Sequence, residues 1–378
     1  MEFETLCLHA DQNKKDEWGT LSMPVCQSAT FVHKGVDVPS DYSYSRLSNP
    51  TRRHLEQTVA ALEGGADAFA FSSGMTAITV AMMLLKSGDH VIATDDLYGG
   101  ALRLFNNVCA CNGIEFDFTD TSDIDAVKAL IKPNTRLFYI ETPSNPLMHV
   151  TDIREIGRLA HEAGALLYVD NTFLTPYYQK PLSLGADIVI HSGTKYLGGH
   201  NDTLAGFVVT KTRELADRVL YCSKTIGGQL APFDAFLIER GIKTLPVRMD
   251  RISENACKIA EYLQTEPAVK KVYYVGIEGT EGNRINRGQA TGFGGMISVE
   301  VESAELAKKI LADVKVFQYA ESLGGVDSLI TYPMLQTHAD VPKAEREARG
   351  INDRFLRIST GIENIRDLIE DLRQAIHG

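Results

Sequence analysis

The sequence has few cysteines, no long apolar run and none of the common nucleotide-binding or hydrolase motifs. Its 378 residues contain six cysteines and no Cys-x-x-Cys pair, which argues against a disulfide framework. The longest apolar run, 77–85, is too short to span a bilayer. The Gly-x-Gly-x-x-Gly fingerprint, the Walker loop and the Gly-x-Ser-x-Gly elbow are missing, and His161-Glu162 lacks the second histidine of a zinc site. We therefore expect no metal centre and no nicotinamide dehydrogenase.

The charge balance narrows the class of partner. The formal net charge is −11, with 44% hydrophobic and 23% charged residues, as in an ordinary soluble globular protein. An acidic chain of this kind favours small-molecule substrates over nucleic acid or an anionic membrane. The first residues show no basic start followed by an apolar stretch, so we expect no secretion signal and a cytoplasmic location.

The hydrophobic pattern predicts two domains and an arm. Residues 1–45 lack periodicity and are interpreted as extended. From about residue 60, short apolar runs, such as 166–169 and 188–191, alternate with amphipathic stretches, which predicts a mostly parallel sheet with helices on both faces. After about residue 230, a long helical stretch at 232–265 with a break at Pro246 begins a smaller α+β domain. The expected units are an arm at 1–45, a large domain at 46–235 and a small domain at 236–378.

Polar segments follow four of the predicted strands, where open α/β sheets bind their ligands. They are Ser72–Met75, Glu141–Pro146, Asp170–Thr172 and His191–Lys195. The first joins a strand to a helix, so its backbone N–H groups can bind an anion at the helix start. The simpler interpretation of this segment is an ordinary N-cap by Ser73.

Asp170 and Lys195 are the titratable residues of these segments that suit a pyridine cofactor. A carboxylate at a strand end can keep a ring nitrogen protonated, although it can also be solvated or pair with a surface lysine. Lys195 can form a Schiff base beside a phosphate held by Ser192 and Thr194, or it can be a surface lysine. Residues 192–195 also fit the Ser-x-x-Lys pattern of penicillin-recognising acylases, but that family's Ser-Asp-Asn and Lys-Thr-Gly motifs are missing.

Four further side chains have both a binding and a structural interpretation. Tyr98, followed by two glycines, can stack on an aromatic cofactor or pack in the core. Arg357 alternates with apolar residues and can clamp a substrate carboxylate or pair with an internal acid. Tyr44 and Arg46 lie in the arm, where they can reach a phosphate on a neighbouring subunit or stay solvated.

In their order along the chain, these motifs resemble the Cys/Met-metabolism family of pyridoxal-phosphate (PLP) enzymes over essentially the whole sequence. The motifs are Tyr44-Ser45-Arg46, Asn49-Pro50-Thr51, Ser73-Gly74-Met75, Tyr98-Gly99-Gly100, Glu141–Pro146, Val169–Thr172, His191–Tyr196, Ser322–Gly325 and Arg357-Ile358-Ser359. The resemblance implies an aspartate-aminotransferase-like, type I PLP fold, in which a mostly parallel sheet domain precedes a smaller α+β domain. It also implies pyridoxal 5'-phosphate as the cofactor and small amino acids as substrates.

The same resemblance implies a role for each candidate residue. Lys195 would carry the cofactor as an imine and move protons, Asp170 would pair with the ring nitrogen, and Tyr98 would stack on the ring and serve as a base. Phosphate contacts are implied for Gly74, Met75, Ser192 and Thr194, joined by Tyr44 and Arg46 from a partner subunit. Substrate contacts are implied for Asn145, Glu321, Ser322 and Arg357. Members are usually homotetramers, built from dimers with shared active sites.

The resemblance also ranks the reactions. Gly100 and Gly325 stand where methionine γ-lyases typically carry Cys and Asp, which argues against that activity. Glu321 resembles cystathionine γ-synthases and γ-lyases, and residues 332–340 favour the bacterial synthases. We therefore expect a cystathionine γ-synthase, with cystathionine β-lyase and γ-lyase as alternatives. An alternative of another class is a non-catalytic relative that binds PLP and regulates, although binding alone needs neither Tyr98 nor Arg357.

Overall fold

The structure is a computed structural model that describes residues 1–10, 19–336, 346–347 and 349–378. Its helices are α1 (Phe3–His9), α2 (Pro50–Glu63), α3 (Gly74–Met82), α4 (Gly99–Leu104), α5 (Ile124–Ala129), α6 (Ile153–Glu162), α7 (Thr175–Tyr178), α8 (Pro181–Leu184), α9 (Arg213–Ile226), α10 (Pro232–Ile242), α11 (Leu245–Thr265), α12 (Glu281–Gln289), α13 (Ala304–Asp313) and α14 (Ile365–His377). Its strands are β1 (Asp67–Phe71), β2 (His90–Thr94), β3 (Glu115–Thr119), β4 (Thr135–Glu141), β5 (Leu166–Asp170), β6 (Ile188–Ser192), β7 (Gly206–Thr210), β8 (Val269–Tyr273), β9 (Met296–Val301), β10 (Gln318–Tyr319), β11 (Leu329–Thr331) and β12 (Phe355–Ser359).

The first sheet has seven strands in the order β1-β7-β6-β5-β4-β2-β3. Strands β2 to β6 run parallel, and β7 is antiparallel to both β6 and β1. Every residue of β1, β2 and β7 is buried, because helices cover both faces of the sheet. One face packs against α2 and α6, and the other against α3, α4 and α9. This confirms the predicted α/β class with a mainly parallel sheet.

The second sheet is smaller and has the order β10-β11-β12-β9-β8. Its central strand β12 is buried throughout and pairs antiparallel with β11 and β9. Helices α11, α13 and α14 share one buried apolar cluster with this sheet, and its members include Ile259, Leu372, Ile297 and Ile358. This sheet is the smaller α+β part that the sequence predicts, and the exact domain limits stay a prediction.

Two local expectations need correction. The arm is not extended throughout, because residues Phe3–His9 form α1, which buries Cys7 and places Phe3 against Tyr177. The predicted break at Pro246 falls slightly earlier, between Ile242 and Leu245, and the proline lies in the first turn of α11, where a missing N–H costs nothing. Among the described residues, no helix is both long and apolar enough to cross a membrane.

Candidate active site

A pocket lies between the carboxyl ends of β4, β5 and β6 and the second sheet. Its lining includes most of the residues singled out from the sequence: Gly74, Met75, Tyr98, Asn145, Asp170, Ser192, Thr194, Lys195, Glu321, Ser322 and Arg357. Residues more than 280 positions apart in the chain thus meet at one site, as Gly74 and Arg357 do. Tyr44 and Arg46 are absent from this lining.

The start of α3 has the features of an anion site. Ser73 caps the helix by accepting a hydrogen bond from the N–H of Thr76 at 3.1 Å, so the N-cap interpretation is correct. The described part of the chain offers no hydrogen-bond acceptor for the N–H groups of Gly74 and Met75. It likewise offers no partner for the Ser192 hydroxyl. A Cβ on Gly74 would lie 3.0 Å from the Cβ of Ser192, so the glycine permits this close approach. These groups suit a phosphate.

Thr194 also lines the pocket, but its hydroxyl has a structural task. Its Oγ1 donates to the carbonyl of Ala205 at 3.2 Å and accepts from the N–H of Ala205 at 3.0 Å. Both bonds tie the turn that carries Lys195 to the start of β7. A phosphate contact by Thr194 would therefore share this hydroxyl with Ala205.

Asp170 ends β5 and is buried at the pocket wall. Its Oδ1 accepts from the N–H and the hydroxyl of Thr172 at 3.0 and 2.6 Å, which leaves Oδ2 without a described partner. Burial raises the pKa of this carboxyl, while the Thr172 hydrogen bonds and the charge of His191 oppose that rise. A buried carboxylate with one free oxygen suits a protonated ring nitrogen. The sequence-based interpretation did not assign Thr172 its role as the residue that orients Asp170.

Lys195 extends into the same pocket, and its Nζ donates a hydrogen bond to the Oγ of Ser322 at 2.8 Å. Burial lowers the pKa of this amine to about 8, assisted by the positive charge of Arg357 and opposed by Glu321. Ser322 has a φ of 99°, a strained value for a residue with a side chain. A lysine with a lowered pKa holds more of its amine neutral near pH 7, which is the form that attacks a carbonyl.

Arg357, in the middle of β12, is 2% exposed. Its Nη1 donates to the Oδ1 of Asn145 at 3.0 Å and its Nη2 donates to the carbonyl of Ser322 at 3.1 Å. Burial lowers the pKa of this guanidinium to about 10. Within the described part of the chain no carboxylate forms a salt bridge with Arg357, so a buried cation faces the pocket and suits a substrate carboxylate.

Tyr98 stands at the pocket mouth with 42% of its surface exposed. Its backbone N–H donates to the Oε2 of Glu141 at 3.1 Å. A Cβ on Gly100 would lie 2.5 Å from the ring of Tyr98, so the glycine makes room for that ring. Glu141 is a pocket residue to which the sequence motif assigns no role, and the signal for it is a carboxylate at the end of the buried strand β4. Burial and the charge of Asp170, its partner in the β4–β5 register, raise the pKa of Glu141 well above its usual range.

The two arm residues lie apart from the pocket of their own chain. Tyr44 is 45% exposed, and the guanidinium of Arg46 lies 5.5 Å from the centre of its ring. The Nη1 of Arg46 donates to the backbone carbonyl of Lys224 at the end of α9. The structure therefore places neither side chain against Lys195 within one chain.

A partly buried lysine, a buried aspartate and a helix start suited to an anion, all in one pocket, are the features of a PLP-dependent enzyme of type I fold. Comparisons agree: the model of the Cys/Met metabolism PLP-dependent enzyme family matches residues 4–377. The chain is 48% identical over 376 residues to the cystathionine gamma-lyase of Bacillus subtilis, covering 100% of this chain and 99% of that one. It is 47% identical over 373 residues to the cystathionine beta-lyase of Lactococcus lactis subsp. cremoris, covering 99% and 98%.

Among solved structures, the chain resembles cystathionine gamma synthase from Xanthomonas oryzae pv. oryzae, which was crystallised with aminoacrylate and cysteine. The TM-score is 0.96 at 39% identity, and the match covers 100% of this chain and 98% of that chain. The protein belongs to the Cys/Met metabolism family of PLP-dependent enzymes. It is thus a trans-sulfuration enzyme that acts on sulfur amino acids.

Proposed function

We propose that the protein makes or breaks the C–S bonds of cystathionine, with Lys195 as the residue that holds the cofactor and moves the proton. The observation that carries this proposal is the arrangement of Lys195, Asp170 and Arg357 around one pocket. The lysine supplies an amine, the aspartate a fixed negative charge and the arginine a fixed positive charge. Chemistry at an α-amino acid needs all three groups. The amine of Lys195 moves the Cα proton, the negative charge of Asp170 sustains the cofactor, and the positive charge of Arg357 binds the substrate carboxylate.

Each residue then has a defined task. Arg357 and Asn145 bind the substrate carboxylate, and Ser322 positions both Arg357 and Lys195. Lys195 would hold the cofactor through its amine, and the same amine in its neutral form would accept the Cα proton. Electron withdrawal by bound PLP, which Asp170 sustains, is the chemistry that makes this proton acidic. Tyr98 would stack on the cofactor ring and would be the second group that can move a proton.

The sequence favours the synthase direction, γ-replacement on an O-acylhomoserine by cysteine. The names of the two relatives above favour elimination, so cystathionine β- or γ-cleavage is the second candidate. Residues 337–340, part of the stretch that favours a synthase, lie outside the described residues.

Product analysis separates the reactions. Purified enzyme is given cystathionine alone, and then O-succinyl- or O-acetylhomoserine with cysteine. Pyruvate from cystathionine indicates β-elimination, 2-oxobutyrate indicates γ-elimination, and new cystathionine from the second mixture indicates the synthase. PLP-loaded protein that is inert in every mixture would contradict the proposal and favour a non-catalytic role.

The substitution Arg357→Lys tests carboxylate binding. We expect kcat/KM to fall by about a hundredfold, mostly through KM, because lysine cannot reproduce the two-pronged contact. The measurement is steady-state kinetics, together with the affinity for PLP, which should change little. An unaltered KM would contradict the assigned task of Arg357.

The lowered pKa of Lys195 predicts a pH dependence for cofactor attachment. Only the neutral amine attacks the cofactor aldehyde, so the rate of covalent attachment to cofactor-free enzyme should rise with pH and level off above about 8. A lysine with an ordinary pKa would give a rate of attachment that still rises between pH 9 and 10. Stopped-flow absorbance across this range measures the rate, and a rate that keeps rising above pH 9 would contradict the lowered pKa of Lys195.

We propose further that two chains share each site, with Tyr44 and Arg46 reaching the phosphate in a partner subunit, and that the dimers pair into a homotetramer. The exposure of Tyr44 and the absence of both residues from their own pocket support this. We also propose a cytoplasmic location, which rests on the sequence.

Subunit mixing tests the shared site. Arg46→Ala and Lys195→Ala proteins, each nearly inactive alone, are denatured together and refolded. A mixed dimer contains one site with both native residues, so random mixing of equal amounts should restore about a quarter of native activity. Mixtures that never exceed the sum of the two parents would contradict the proposal.

A further inference from the structure

A buried polar network lies behind the active site, on the opposite face of the first sheet. Glu63, the last residue of α2, is 2% exposed, and His191 of β6 is fully buried. The Nε2 of His191 lies 2.6 Å from the Oε1 of Glu63, and the Nδ2 of Asn171 donates to the same oxygen at 3.0 Å. One carboxylate oxygen therefore binds two strand ends.

The network extends to a third strand end. The side-chain amide of Gln179 donates to the Oδ1 of Asn171 at 3.0 Å and to the backbone carbonyl of Thr142 at 3.2 Å. Asn171 in turn donates to the carbonyl of Gln179 at 2.8 Å. Each of these residues is buried, so the bonds form in a low-dielectric interior, where hydrogen bonds are stronger than in water.

Strand alternation connects this network to the pocket. Thr142, Asn171 and His191 directly follow or precede Glu141, Asp170 and Ser192, and neighbours along a strand face opposite sides of a sheet. The apolar clusters agree, since Val189 packs on the α2 face and Ile190 on the α3 face. The ends of β4, β5 and β6, which carry Glu141, Asp170 and Ser192, are thus anchored from behind.

We propose that Glu63 is a positioning residue that holds the strand ends of Asp170 and Ser192 in register for cofactor binding, acting through Asn171 and His191. The inference rests on the proposed function of the pocket. The anchor is geometric, because the hydrogen bonds of Glu63 to His191 and Asn171 fix the two residues that adjoin Ser192 and Asp170 in the chain.

The chain offers a matched control. Glu239 of α10 is also buried, and its Oε1 lies 3.4 Å from the Nε2 of His54 on α2. This second Glu–His pair joins two helices, and neither of its residues is in the pocket lining. The substitutions Glu63→Gln and Glu239→Gln each replace a buried glutamate that pairs with a histidine, so both should lower the melting temperature.

Cofactor affinity distinguishes the two variants. Cofactor-free native protein and both variants are titrated with PLP, and binding is followed by fluorescence and visible absorbance. We expect Glu63→Gln to bind PLP about tenfold more weakly than native protein, and Glu239→Gln to stay within about twofold. If Glu63→Gln fails to fold, Asn171→Ala replaces it, with an expected loss of about threefold.

The possible results separate the inference from the function it rests on. If native protein binds PLP and Glu63→Gln matches Glu239→Gln in affinity, the positioning role is wrong and the proposed function stands. The same conclusion follows if Asn171→Ala, used as the replacement, binds as tightly as native protein. If native protein itself binds no PLP, the proposed function and the inference both fail.

Discussion

Lys195→Ala protein is expected to fold, to bind PLP without a covalent link and to turn over substrate about a thousandfold more slowly or worse. The Lys195 amine has one described hydrogen bond, to Ser322, so its removal costs little stability. It is, however, the amine that would hold the cofactor and accept the Cα proton. Circular dichroism reports the fold, the visible spectrum reports the link, and product formation reports turnover.

An exposed lysine provides the control for this variant. Lys128→Ala on α5 removes an amine of the same kind, paired with Asp125 at the surface, and should leave turnover native. Near-native turnover by Lys195→Ala would rule out the assigned role. Loss of secondary structure in that variant alone would instead reveal a structural role for the buried amine.

Asp170→Asn protein is expected to bind PLP and to lose about a hundredfold or more in kcat. The amide preserves the size of the side chain, and its oxygen can still accept the Thr172 hydrogen bonds at the position of Oδ1. It removes the negative charge that would keep the ring nitrogen protonated, so the proton at Cα becomes much harder to remove. Steady-state kinetics with saturating PLP measure the loss.

Asp371→Asn is a suitable control for loss of a buried carboxylate. Asp371 is 4% exposed and accepts from the N–H groups of Lys315, Val316 and Phe317, beside the second sheet. Its substitution should lower the melting temperature and leave kcat native. If Asp170→Asn keeps a native kcat, Asp170 is not the ring-nitrogen partner.

The strands of the first sheet could be predicted because burial on both faces gives continuous apolar runs. The predicted runs 166–169 and 188–191 each end one residue before the end of the observed strand, at Asp170 and Ser192. Helix α2 was missed for the opposite reason. Its buried face contains Arg52, Glu56 and Glu63, which interrupt the apolar period. The signal for a helix start was present, since Asn49 precedes Pro50. In the structure, the Oδ1 of Asn49 caps α2 by accepting from the N–H of Thr51 at 3.0 Å.

The candidate site was predictable where a residue's position in a motif implies its task, as for Lys195, Asp170 and Arg357. Contacts between distant segments were not predictable from periodicity. Glu63 and His191 are 128 positions apart, and the local sequence around neither residue predicts their contact. Glu141 likewise gains its raised pKa from Asp170, a strand neighbour that only the sheet order brings alongside.

Reduction of the PLP-loaded enzyme with borohydride, followed by peptide mapping, tests the central claim most directly. Reduction converts a lysine-linked cofactor into a stable secondary amine, which mass spectrometry locates. The predicted result is modification of the peptide that contains residue 195, with no other lysine modified to a comparable extent. A label on a different lysine, or none at all in protein that has bound PLP, would contradict the account.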